Sequence, residues 1–357
     1  AGTANVRLGS TAGDSIASGG NYNVVVGDLA GTAITTGDHN VALGYAALAT
    51  EDGNGYNTAI GGRSLYTLNG GADGYNVGVG YDSGRLITTG LRNTLVGALA
   101  GDALTDADDN VAMGTSALSS DTLGSRSVAI GKEALFAQNF TTATNTYNTA
   151  VGAFAGNAVT TGVQNTLIGG LAGDALTTGS YSVAVGYQAL STEDAHGQNT
   201  AVGYKALATL NAGATGNNVA IGFDAGTSVT TGINNTLIGS ESGDALTDAD
   251  HNTALGFRSL TTNVLGSRSV ALGAGALFAQ NPATATDMYN VAIGYEAGVG
   301  VTTAIYNTLV GGLAGDALTT GGYNVAIGTN SLSVEDTGRK NVAIGAYALQ
   351  SQNYDAD

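Results

Sequence analysis

The chain has 357 residues, among them 57 glycines, one proline, no cysteine and no tryptophan, and only 11% are charged. Its 28 acidic against 11 basic side chains leave a formal charge of −17, which repels phosphate backbones and anionic lipid and argues against nucleic acid and membrane partners. Glycine without a three-residue period and almost without proline is not collagen, and 43% apolar residues at regular positions is not disorder.

From the N-terminus onward one element recurs: Asn or Ser, then Val or Thr, a small residue, an aliphatic and Gly. It occurs twenty times, first at Gly9, Gly27, Gly44 and Gly61 and last at Gly294, Gly311, Gly328 and Gly345. Most successive glycines are 17 residues apart, the others 18, 19 or 21. Two variable residues follow each glycine, and then a dipeptide that is small-Gly or small-Leu, in the order Gly, Gly, Leu, Leu, five times over. "GDLAG" at Gly27 is of the first kind and "GYAAL" at Gly44 of the second. Four coils make a super-repeat of about 71 residues, approximately 1–71, 72–143, 144–213, 214–285 and 286–357, in one continuous domain without a linker. "NTLIGGLAGDAL" at 165–176 therefore returns as "NTLVGGLAGDAL" at 307–318, eight coils and 142 residues later.

A coil of this length is too short for helix-pair repeats and predicts an all-β fold, a parallel β-solenoid or β-roll of about twenty coils. Alternation along "NVAIG" puts the aliphatics at its second and fourth positions on one face, expected here to line the interior, and glycine then ends the strand. Asn opens 17 of the 20 elements, with Ser127, Ser182 and Ser269 the exceptions. Stacked at about 4.8 Å, such side chains can form a hydrogen-bonded ladder. The middle residue is Ala, Leu, Val or Gly in every coil but the first, where it is Arg7. A larger residue holds this place in the second coil of each set: Val25, Leu95, Leu167, Leu237 and Leu309. This apolar row is expected to face a second chain, making those five the candidate interface of a lateral homo-oligomer.

"NTAVG", "SVAIG", "NVAIG" and the "xxAL" that follows resemble the head repeats of trimeric autotransporter adhesins and the shaft repeats of phage tail-fibre proteins. The resemblance covers the whole chain. It implies a left-handed parallel β-roll with three chains abreast, although the adhesin coil is shorter and lacks the four-coil super-period.

A catalytic site should break a repeat, because it needs residues the other coils lack. The histidines, His39, His196 and His251, belong to no nucleophile or metal motif, so the chain reads as a non-enzyme without a cofactor. The acids recur in register: Glu51–Asp52, Glu193–Asp194 and Glu335–Asp336 are spaced by 142. In "DALTDADDN", Asp106, Asp108 and Asp109 are the candidates for a hard cation such as calcium, against the plainer reading of a solvated bend. Paired threonines such as Thr160–Thr161 read as turn chemistry, and tyrosines before the Asn and after the Gly either cover the core edge or stack on surface sugars.

The first residues, "AGTANVRLG", lack the basic start and apolar segment of a secretory signal and read as a processed or excised end. Gly345 is followed by 12 residues and Gly9 completes 9; joined tail to head they make 21, a gap already present in the chain. The expectation is a repeat that continues into another copy, covalently or by stacking. The functional expectation is an extracellular structural subunit, the rigid shaft of a fibre, filament or adhesive appendage. Phage-fibre or adhesin binding to host glycans is the alternative, and a polysaccharide-degrading β-helix or an ice-binding solenoid ranks below both.

Overall fold

A computed structural model describes residues 2–353. The described residues contain no helix and form a parallel β-solenoid of twenty turns. The chain divides into two compact units, Ala1–Ser180 and Tyr181–Asp357, each carrying ten turns of the repeat. In the first, a three-residue strand recurs from Val6–Leu8 to Thr166–Ile168; in the second, from Val183–Val185 to Val342–Ile344. Each strand lies parallel to that of the next coil with like positions opposed, so Val25 faces Ala42, Ala42 faces Ala59, and Ala220 faces Leu237. The longer 21-residue coils add short parallel pairs, Gly124–Ser125 with Thr144–Asn145 and Gly266–Ser267 with Thr286–Asp287.

The bend after each strand holds to the same stacking rule. Gly44 has φ +129°, and a β-carbon on it would lie 2.7 Å from the carbonyl carbon and oxygen of Gly61, the corresponding residue one coil on. The glycines thus form a column that a side chain would push apart. Right- and left-handed residues then alternate: Arg63 (φ 57°) and Leu65 (φ 50°) are both left-handed. The alternation turns successive peptides in opposite directions. Arg63 N–H donates to the Tyr45 carbonyl of the preceding coil at 2.8 Å, and Leu65 N–H to the Ser83 carbonyl of the following coil at 2.9 Å. Each left-handed residue costs roughly 1–2 kcal/mol, and pairing on both sides offsets that cost.

The strand faces are the reverse of the sequence expectation. The small middle residue is buried and the flanking aliphatics are outside: Ala42 is wholly buried while Leu43 is 42% exposed, and Ala112 is wholly buried beside Met113 at 41%. The reason is cross-section. The bend that faces the strand carries its own leucines inward, Leu48 and Leu65 for example, both without exposed surface, and little room remains opposite them.

The same packing explains the four-coil rhythm. Val25, Leu95, Leu167, Leu237 and Leu309 have no exposed surface and lie inside their own coils, so they are core residues and do not form an outer interface. Each stands where two successive bends carry Gly in place of Leu. A β-carbon on Gly226 would lie 2.7 Å from Leu237 Cδ1, and one on Gly243 2.8 Å from Leu237 Cδ2. Gly156 and Gly173 relate in the same way to Leu167, and Gly298 and Gly315 to Leu309. One leucine on the strand replaces two missing from the bends. Val25 does so with its two methyls at Gly13 and Gly31.

The Asn ladder is present, with the backbone as its partner. Asn235, wholly buried, donates its backbone N–H to Asn218 Oδ1 at 2.9 Å and its Nδ2 to the Ala249 carbonyl at 2.7 Å. Its own Oδ1 accepts from Asn252 N–H at 2.9 Å. At Ser127 and Ser269, two of the three places where Ser replaces Asn, a glutamine from the bend fills the space. Gln138 Nε2 donates to Ser127 Oγ at 2.8 Å and its Oε1 accepts from Asn148 Nδ2 at 2.9 Å, and Gln280 serves Ser269 and Asn290 likewise.

Leu237→Ala should cost about 3 kcal/mol, as for a buried leucine left as a cavity, read as a lower denaturation midpoint, and Leu237→Lys should fail to fold. Asn235→Asp keeps the shape but buries a charge facing a carbonyl. It should cost about 3 kcal/mol at neutral pH and recover part of that as the pH falls and the acid becomes a donor, which melting curves at two pH values would show.

Candidate functional site

The backbone of the repeat is committed to its neighbouring coils, so any function must be carried by what faces outward. The first outward feature is the strand's outer face. In every coil of each unit the fourth strand position is aliphatic or Met, and Ile168, Ile221, Leu255 and Ile293 are 38–46% exposed. Val or Thr at the second position stands beside it, half-buried. Together they form a continuous apolar column on the outside of each unit.

The second feature is aromatic. At the corner before the Asn, Tyr22, His39, Tyr56 and Tyr75 stack with ring centroids 5.0, 5.0 and 5.1 Å apart and planes within 27°. Tyr289, Tyr306 and Tyr323 repeat the arrangement. These rings do not cover the core edge: Tyr22, Tyr56 and Tyr75 are 58, 44 and 54% exposed. Their faces are turned to one another, so within a column a sugar could reach only their edges. A second column follows the strand-ending glycine, where Tyr187, Tyr204 and Phe223 stack at 5.9 and 5.2 Å. Two cavities open beside this position, one of about 340 Å³ around Ala274 and one of about 300 Å³ around Tyr45 and Arg63.

The calcium candidates serve the stacking of coils. Asp106 accepts from the Thr89 hydroxyl. Asp108 Oδ1 accepts from Leu91 N–H at 2.8 Å. Asp109 receives Arg92 Nε at 2.5 Å and lies 3.8 Å from Arg126 Nε, and the Arg92 hydrogen bond holds its carboxyl below the usual range. These acids bridge neighbouring coils and do not converge. Among the described residues, the one group of three that could share a metal ion is Glu193, Asp194 and His196. Repeat reasoning passed over it because its acids recur in register; the signal was His196, which stands where the sister coils have Asn54 and Gly338. Glu193 has a structural task of its own. Its Oε1 accepts from His196 N–H at 3.1 Å, as Glu51 Oε1 does from Asn54 N–H at 3.1 Å and Glu335 Oε1 from Gly338 N–H at 2.6 Å. The recurring glutamates are buried turn caps. The threonine pairs are structural as well: Thr160 Oγ1 donates to the Thr177 carbonyl at 3.1 Å and Thr302 Oγ1 to Thr319 at 3.0 Å.

Burial pushes several carboxyls above their ordinary range: Glu51, Asp121 and Glu193 in turns, and Asp102, Asp174, Asp244 and Asp316 in the bends. No helix among the described residues is long and apolar enough to cross a membrane. No protein-family model matches this sequence, and no curated protein matches it.

The raised carboxyls set a pH dependence. The folded state binds more protons than the unfolded state wherever a folded pKa is raised, so stability falls as the pH rises. This contribution is fully present below the ordinary carboxylate range, about pH 4, and is lost as the pH climbs through the raised folded values. Asp28 and Asp109, held low by hydrogen bonds to Ser10 and to Arg92, act in the opposite sense but are fewer. The contribution of the raised carboxyls to the melting temperature should therefore decline as the pH rises from about 4, as calorimetry over a pH series would record.

Proposed function

We propose that this chain is a non-enzymatic structural subunit, the shaft of an extracellular fibre, filament or adhesive appendage, in which copies associate side by side and the repeat continues end to end. The carrying observation is the outer strand column, an outward aliphatic or Met in coil after coil of each unit, exposed in some coils and half-buried in the others. A surface that is apolar at every turn suits a long partner with the same period, which a parallel copy of this chain supplies. The column also supplies what the buried leucines do not: an apolar row that a sister chain can reach. The resemblance to adhesin heads and tail-fibre shafts agrees with this reading. So does the use of Glu51, Glu193 and Glu335 as turn caps and of Asp106, Asp108 and Asp109 in coil-to-coil bridges.

Ile221→Lys combined with Ile293→Lys should reduce the sedimenting mass to that of a single chain while leaving the circular dichroism unchanged. A mass equal to one chain in the wild type, or an assembly that survives both lysines, would sink lateral association through this face. Incubation with capsular polysaccharide should release no reducing ends.

A further inference from the structure

In the second unit the aromatic column that follows the strand-ending glycine is interrupted at more than one coil. Through seven successive coils that position reads Tyr187, Tyr204, Phe223, Ser240, Phe257, Ala274 and Tyr295. In the first three coils the rings stack with planes 17° and 10° apart. Further along, Phe257 and Tyr295, 52% and 59% exposed, stand two coils apart with a methyl group between them. The next residue of that coil, from which a side chain could lean over the gap, is Gly275. It has φ +68°, and a β-carbon on it would lie 3.1 Å from Glu296 Cγ. The result is the 340 Å³ cavity, lined by Phe257, Ala274, Gly275 and Tyr295 together with Phe278 and Val299, with Arg258 and Glu296 as its charged groups.

At Ser240, the gap between Phe223 and Phe257, the next residue, Glu241, bonds Arg258, whose guanidinium lies 5.1 Å from the Phe257 ring centre; other interruptions also carry a charged side chain against a ring. In the Gly61 coil the corresponding residue is Gly62, between Tyr45 and Tyr81; the next residue, Arg63, lies 5.2 Å from the centre of the Tyr81 ring and bonds Asp82 at 2.6 Å, and the cavity of about 300 Å³ remains beside it. In the Gly131 coil, 142 residues before, Lys132 and Glu133 stand where Ala274 and Gly275 do. There Lys132 Nζ lies 5.0 Å from the Phe154 ring centre. The Gly273 coil lacks both devices. Arg258 is tied to the preceding coil by its Nε bond to Glu241 Oε2 at 2.6 Å.

We propose that this notch binds a neutral hexopyranose unit of a glycan. Two coils span about 9.6 Å at the strand spacing of about 4.8 Å. A flat arene in contact at about 3.5–4.0 Å on each face leaves part of that gap empty. A puckered saturated ring with axial hydrogens fills it and presents a C–H face to the electron-rich face of an aromatic ring on either side. Its hydroxyls meet the Arg258 donors and the Glu296 acceptor. The −17 charge of the chain and the Glu296 carboxylate disfavour sugar acids. The site shares no residue with the outer strand column and does not rest on the shaft reading.

Saturation-transfer NMR on the intact chain, titrated with methyl glucoside, methyl galactoside, methyl glucuronide and p-cresol, tests the assignment. A neutral glycoside should saturate with a Kd on the order of millimolar, as expected for a single small ring. The glucuronide should bind at least about tenfold more weakly. Ala274→Tyr restores the ring that the column carries at Tyr204, and Phe257→Ser copies Ser240. Either should reduce binding at least about tenfold with an unchanged melting temperature, and if one misfolds the other carries the test. The assignment is overturned by the absence of saturable glycoside binding, by a wild-type Kd in a folded variant, by equal binding of the glucuronide, or by preference for p-cresol.

Discussion

In this protein most backbone hydrogen bonds of a coil go to the coil before it or the coil after it, and only a few, such as Ala47 N–H to the Gly44 carbonyl, close a bend within the coil. That pairing places like atoms above like atoms at the spacing of paired strands. It accounts for the invariant glycine, where carbonyl groups of the next coil occupy the space of a β-carbon, as at Gly44 over Gly61. It also accounts for the buried Asn, whose side chain accepts from one backbone N–H and donates to one carbonyl where the strand begins. Even the left-handed leucines follow from it, since the alternating bend is what aims successive peptides at both neighbours.

Within that frame the interior is a problem of volume. A bend leucine and a strand alanine fill the core together, and so do a bend glycine and a strand leucine shared between two coils. The chain alternates the two solutions in pairs, which produces a four-coil period without any partner. Stability in such an array is a sum of local increments between neighbours, so a fault in one coil is felt mainly by the coils that touch it.

Freed from backbone duty, the outward side chains vary from coil to coil, and the surface differentiates. The outer strand column is apolar throughout each unit. The corner columns are aromatic in runs and charged between them, with Arg92, Asp109 and Arg126 bridging where Tyr22 to Tyr75 stack. A repeat built this way can carry a ligand site where one rung is omitted, because the neighbouring rungs hold the walls apart at a fixed distance.

The period, the all-β parallel class, the Asn ladder and the four-coil rhythm were legible in the sequence, because each follows from a repeat that leaves one residue type possible at a given place. Which strand face is buried was not. Both faces of "NVAIG" are apolar, so hydrophobicity does not distinguish them, and the side was decided by how little space the inward leucines of the bend leave opposite the strand. The cavity at Ala274 was likewise settled only in three dimensions. Alanine and glycine are unremarkable in a glycine-rich chain, and they form a site only because Phe257 and Tyr295, 38 residues apart in sequence, are two coils apart in space.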